Sequence, residues 1–208
     1  DVYKRQSLSS PPATSDLWIA SVVPRQTQLW QGYPQAQFMT LDQIPLAGIY
    51  PTLGIDRALA VWGAIATIGS PVLVIDAGTA LTLTGANAQQ RLIGGAILPG
   101  LQLQFQSLGQ STAALPVVDW QDAIVLPSRW ATSTPEAIAS GILHTVLAGL
   151  QNFINIWWEE FPATPVVFTG GDGDRLYRYL LTQMPDWAAK LTVDPNLIFW
   201  GMRAVRLG

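Results

Sequence analysis

Residues 72–85 read VLVIDAGTALTLTG. Four residues suited to a buried strand, Val72–Ile75, run into a carboxylate, Asp76. Ala77-Gly78-Thr79-Ala80 follows, and apolar–polar alternation resumes from Leu81 to Thr84. Alternation of period two marks a strand with one face buried. A link this short, built of small residues, leaves room only for a tight reversal between antiparallel neighbours. The stretch therefore predicts a hairpin with an acid at its bend. A polar turn over 87–90 and an apolar run at 92–98 predict a third strand, giving an antiparallel meander.

The rest of the chain arranges itself around that meander. Upstream, short strands are predicted at 17–23 and 38–41. A helix is predicted from Pro24 through Trp30, a loop at 48–54, and a helix from Asp56 to about Ile68 with Leu59, Val61, Trp62 and Ile65 on a broad apolar face. Downstream, helix is predicted at 101–108, irregular chain at 112–129, and a long helix near Pro135 that runs to about Phe161, with Thr134 as its N-cap. Strands at 166–168 and 191–193 alternate with helices at 174–184 and 196–205. This order predicts an α/β layer with mixed strand directions.

Composition narrows the function. Hydrophobic residues make up 49% of the 208 and charged ones 12%, enough apolar material for a core. The net charge of −3 gives no broad attraction to nucleic acid or to an anionic membrane. There is no cysteine, so disulfides and thiolate metal sites are excluded, and the single His144 argues against a His-rich zinc site. His144, flanked by Leu143 and Val146, reads as structural. No run of 18 apolar residues and no secretory signal is present, so a cytoplasmic protein with no membrane or nucleic-acid partner is expected.

Five stretches carry possible chemistry. Asp76-Ala-Gly78-Thr79-Ala80 offers turn N–H groups to a phosphate and a carboxylate to a hard cation, or is a plain hairpin with a turn-capping Asp. Gly54-Ile55-Asp56-Arg57 heads a helix. Asp56 suits a dipole-stabilised first turn, or a base for a substrate hydroxyl, and Arg57 suits bidentate binding of a carboxylate. Gly94-Gly95-Ala96-Ile97-Leu98-Pro99-Gly100 contains a glycine pair that permits either close backbone approach or a bulge. Thr169-Gly170-Gly171 leaves bare backbone at the carboxyl end of a strand, where ligands of open α/β sheets lie. Ser133-Thr134-Pro135-Glu136 is a helix start whose terminus also suits an anion.

Taken together in this order, GIDR (54–57), DAGTA (76–80), GGAILPGL (94–101), TPEAIASG (134–141) and TGG (169–171) resemble type III pantothenate kinase, from about Leu17 onward. The resemblance implies an actin-like ATPase fold of two RNase H-like α/β domains with mixed sheets. It implies ATP and pantothenate as substrates, Mg2+ with the ATP, a monovalent cation (K+ or NH4+), and a homodimer. It assigns Asp56 as the base that takes the proton from the primary hydroxyl of pantothenate. Gly54, Arg57, Thr134 and, at a shorter spacing from Asp56 than the family pattern, Tyr50 fall to pantothenate. Gly78 and Thr79 fall to the phosphates of ATP, Gly170 and Gly171 to its adenosine, and Asp76 to the metal.

One departure stands out. The family's first phosphate loop, Asp-x-Gly-Asn-Thr in type, has no counterpart in residues 1–40. The expectation is an unstructured or spurious leader at 1–16, the remainder of a first domain at 17–70 and a second domain at 71–208. Activity of the 208-residue chain alone is expected to be severely reduced, because phosphoryl transfer depends on positioning and electrostatic stabilisation. The alternatives are a non-catalytic accessory regulator of transcription with the same fold, or a related kinase acting on a sugar or acetate.

Overall fold

The computed structural model describes residues 17–22, 24–33, 35–112, 114–118 and 125–208. The leader expected at 1–16, and part of the irregular segment at 112–129, lie outside the described residues.

The meander forms as its alternation demands. Strands β3 (Val72–Ala77), β4 (Ala80–Ala86) and β5 (Leu92–Pro99) pair antiparallel in sequence order. On the other side of β3, strands β6 (Val166–Thr169) and β7 (Leu191–Val193) join in parallel, giving the order β5-β4-β3-β6-β7. Because β3 pairs with neighbours on both sides and helices cover both faces, its apolar run is nearly continuous, as for a strand buried twice over. Both roles left open for the glycine pair are seen: the β4–β5 register shifts at Gly85/Ala86, beside Gly94, and a Cβ on Gly95 would strike the Leu83 carbonyl of β4.

Two cores lie on opposite faces of this sheet. Leu73, Ile75, Leu81, Leu83 and Phe168 pack under α3 (Leu101–Ser111), α4 (Thr134–Glu160) and α5 (Gly173–Gln183). Val72, Val74, Ala86 and Val167 pack under α2 (Ile55–Ile68) and α6 (Leu197–Leu207). Successive side chains of a strand alternate between faces, so one strand feeds both cores. α4 is long and apolar enough to cross a membrane by length and composition. Its apolar stripe, including Leu143, Leu147, Leu150 and Ile154, is instead buried against the sheet.

Upstream, β1 (Leu17–Ile19) and β2 (Ala36–Phe38) form a parallel pair around α1 (Pro24–Trp30). Both strands are shorter than expected, and β2 starts two residues earlier. Met39 still bonds to the Ile19 carbonyl (2.8 Å), but Leu41–Gln43 then closes into a 3-10 turn through Gln43 N–H to Thr40 O, which ends the extended run. The start of α4 also differs from expectation. Ser133 is the N-cap and Thr134 the first helical residue, since Ser133 keeps extended backbone while its carbonyl accepts from Ala137 (2.9 Å).

Candidate active site

The polar residues of the sheet collect at one end of one face. Register places Asp76 beside Thr82 on β4 and beside Thr169 on β6, and places Val74 beside Thr84. By alternation these polar side chains share the face covered by α2. That face is apolar at Val72 and Ala86 and becomes polar toward the carboxyl end of β3.

α2 delivers the second acid to the same place. Gly54 is its N-cap and Asp56 sits in its first turn, where a carboxylate is favoured by the helix dipole. Asp56 Oδ1 accepts the Arg57 backbone N–H (2.8 Å), which fixes its rotamer. A Cβ on Gly54 would collide with that carboxylate, so the glycine is what admits the rotamer. Burial pushes the Asp76 carboxyl up to about 6, and the negative charge of Asp56 adds to the rise. The acids, twenty residues apart in the chain, are therefore near enough for the charge of one to act on the other. Like charges held together in a partly dry setting suit a cation or a proton between them.

Two glycines at the end of β6 do different jobs. Gly170 has φ of 82°, and a Cβ there would strike Asp76 Oδ1 and the Ala77 carbonyl carbon (2.6 Å). It braces the Asp76 carboxylate from the side. Gly171 faces open space, with nothing within 4 Å of a Cβ placed on it. Gly78 is likewise not demanded by packing, since a Cβ would meet only ordinary contacts at 3.4 and 3.7 Å. Thr79 is exposed at the tip of the turn, and the turn is held by Gly78 N–H to Ala80 O (3.1 Å) and Gly100 N–H to Thr79 O (2.9 Å). Gly78 and Gly171 thus leave bare backbone open on both sides of Asp76, which is where a phosphate or nucleotide needs close approach.

Arg57 turns inward rather than into solvent. It is buried, with Nε–H donating to Thr84 Oγ1 (3.0 Å), Nη1–H to Tyr50 OH (3.1 Å) and Nη2–H to Leu83 O (3.3 Å). The structure so brings Tyr50 to Arg57 despite its short spacing from Asp56 in the sequence. Thr134 is exposed on the first turn of α4 and has no hydrogen bond to Asp56, Arg57 or Asp76. His144 is a tether, its Nε2 bonding to Pro127 O (3.0 Å).

Sequence reasoning missed three residues. Thr84 looked like any outward position of an alternating strand, and only the register shows that it meets Arg57. Gly100 stands in the sequence only as the end of the 94–100 stretch, without a role, but a Cβ there would run into the Gly78 and Thr79 carbonyls. Asp172 follows TGG directly. Its backbone N–H donates to Ala77 O (3.0 Å), and burial raises its carboxyl while nearby Arg175 pulls it back. The adjacency of Asp172 to Gly170-Gly171 was the available signal.

A divalent cation fits the acids on this end of the sheet. A buried carboxylate with a second one near it is a hard, anionic oxygen donor set. No group of three or more Asp, Glu, His or Cys able to hold a metal is present among the described residues.

Ligands of open α/β sheets lie outside the carboxyl ends of the strands. Here that end carries Asp76 and bare glycine backbone, which defines an α/β protein whose sheet can receive a phosphorylated ligand at that end. The chain belongs to the type III pantothenate kinase family, whose model matches residues 2–155. Similar proteins include type III pantothenate kinases of a Nostoc species (54% identical over 201 residues, 97% of this chain and 73% of the relative) and of a Synechocystis species (47% over 192 residues, 92% and 74%). Among solved structures, a conserved putative Baf family transcriptional activator from Campylobacter jejuni superposes with a TM-score of 0.65 at 25% identity, covering 92% of this chain and 81% of that one.

Proposed function

We propose that this protein transfers the γ-phosphoryl group of ATP to pantothenate, giving 4'-phosphopantothenate, the first step of coenzyme A biosynthesis. The observation that carries the reading is a partly buried Asp76 at the carboxyl end of β3, within reach of the charge of Asp56 and beside open glycine backbone. Asp56 accepts the proton of the primary hydroxyl of pantothenate as its oxygen attacks the γ-phosphorus, and ADP leaves with the electron pair of the broken P–O bond. Asp76 would hold Mg2+, whose chemistry is to neutralise charge on the phosphates. Gly78 and Thr79 present turn N–H groups to the phosphate chain, and Gly170-Gly171 offers bare backbone to the adenosine. Arg57 and Tyr50 take the pantothenate carboxylate, Gly54 shapes the base, and Thr134 contributes from the start of α4.

The reading extends to organisation. Residues 17–70 belong to a first RNase H-like unit and 71–208 to a second, in an actin-like arrangement with ATP between them. The order β5-β4-β3-β6-β7 with β4 reversed supports the second unit. A homodimer, a K+ or NH4+ requirement and a cytoplasmic location complete the proposal.

The test is phosphate transfer from ATP to pantothenate, with and without K+, alongside sugars and acetate as acceptors. Preference for pantothenate supports the reading, and preference for a sugar defeats it. A protein that binds neither pantothenate nor ATP but associates with DNA or a regulator would point to the non-catalytic alternative.

A further inference from the structure

Arg57 is a buried cation whose side-chain hydrogen-bond partners among the described residues are all neutral: a threonine hydroxyl, a tyrosine hydroxyl and a backbone carbonyl. No carboxylate pairs with it among the described residues. A guanidinium carries five N–H donors, so these bonds leave one donor on each terminal nitrogen. A buried charge without a counter-charge is costly, and the cost falls when an anion arrives at the unused donors. The value of that arrangement depends on the plane of the guanidinium being set beforehand, because a bidentate acid contact is directional.

We infer that Thr84 is a positioning residue for the substrate acid group, acting through Arg57; this rests on the proposal that Arg57 takes the pantothenate carboxylate. Thr84 lies on β4, fixed between Val74 of β3 and Gly95 of β5. It is buried, and its hydroxyl receives Nε–H, the donor nearest the hinge of the guanidinium. Tyr50, at the other end, is exposed and rides on a loop, so it is the weaker anchor. Gly95 supplies the space. A Cβ there would come within 2.7 Å of Nη2 and would strike the Leu83 carbonyl that Nη2 bonds. Hydroxyl and missing side chain together form a seat across two strands that orients Arg57 from below, while the substrate is met from above.

The experiment compares T84V, T84S and R57Q by calorimetric titration of the 208-residue chain with pantothenate and, separately, with Mg-ATP, each with a thermal melt. T84V is close to isosteric and β-branched, so the strand keeps its packing while the hydroxyl is lost. The expected result is a roughly tenfold weaker pantothenate Kd for T84V, in line with loss of a hydrogen bond to a charged group. Mg-ATP binding should stay within about twofold, and T84S should restore pantothenate binding to within about twofold. A purely structural role would instead weaken both ligands and lower the melting temperature together, which overturns the inference. If R57Q weakens pantothenate but T84V does not, the inference alone is overturned. If R57Q, or the unsubstituted chain, gives no pantothenate effect to compare, the carboxylate reading of Arg57 falls and takes this inference with it.

Discussion

The two faces of the central sheet are made from the same strands and do opposite things. On the α4 face, Leu73, Ile75, Ala77, Leu81, Leu83 and Phe168 stay apolar to the very end of β3. On the α2 face, Val72 and Val74 give way to Asp76, with Thr82, Thr84 and Thr169 around it. A sheet that only needed to be stable would bury both faces alike, because burial of apolar surface is the main stabilising term. The polar end of one face is thus a place where stability is given up, and the intact opposite face is what allows it. Mutations should separate along this line, with losses of stability on one face and losses of ligand chemistry on the other.

The largest effect belongs to the apolar face. Phe168 is fully buried and touches the ring of Tyr177 edge-on (centroids 6.2 Å apart). F168A should cost about 3–5 kcal/mol in urea unfolding, from lost transfer energy plus the cavity left behind. A cost below 1 kcal/mol would mean that this face is not the structural one.

D56N tests the polar end at nearly the same magnitude but in another quantity. Phosphate transfer to pantothenate, already expected to be slow in the 208-residue chain, should fall further by about a hundred- to ten-thousandfold, the range expected for loss of a general base. Unfolding free energy should move by less than about 1 kcal/mol, since a partly buried Asp at a helix start contributes about that much. Equal loss of stability and rate would erase the contrast between the faces.

D76N should stabilise. The Asp76 carboxyl is raised from 3.8 to about 6, chiefly by burial and then by Asp56. A carboxyl raised on folding makes its full contribution while protonated, below about pH 4, and that contribution is lost as pH climbs through about 6. At pH 7.5 the ionised acid is a cost, on the order of 2–3 kcal/mol at 1.36 kcal/mol per unit. D76N should therefore unfold later in urea than the unsubstituted chain at pH 7.5 and match it at pH 4. The reverse pattern would show that Asp76 is paired rather than exposed to a like charge.

The contrast between the faces was partly legible in the sequence. The meander could be read because alternation and short polar links leave one arrangement, and the acid at its bend was conspicuous for interrupting an apolar run. The three-residue strands β1 and β2 are too short to show a period, so three of their four limits went astray, by two to four residues. The direction of Arg57 was out of reach, because GIDR says only that it heads a helix. Its turn inward toward Thr84 depends on which face of β4 meets α2. Likewise TGG showed bare backbone but not that its two glycines differ.

That difference gives the smallest and cleanest test. Gly170 has a positive φ and abuts the Asp76 carboxylate, so G170A carries backbone strain and a steric conflict together. A cost of about 1–3 kcal/mol is expected, mostly from the strained backbone. Gly171, one residue on, is not at a positive φ and has no neighbour within 4 Å of an added Cβ. G171A should leave the unfolding free energy within about 0.5 kcal/mol, as an uncrowded site allows. What it should weaken is Mg-ATP binding, because a methyl there occupies the space that bare backbone leaves for the nucleotide. Calorimetric titration beside urea unfolding reads both quantities on the same samples. Unchanged ATP affinity in G171A would move the adenosine away from this turn and leave Gly170 with a purely structural reason to be glycine.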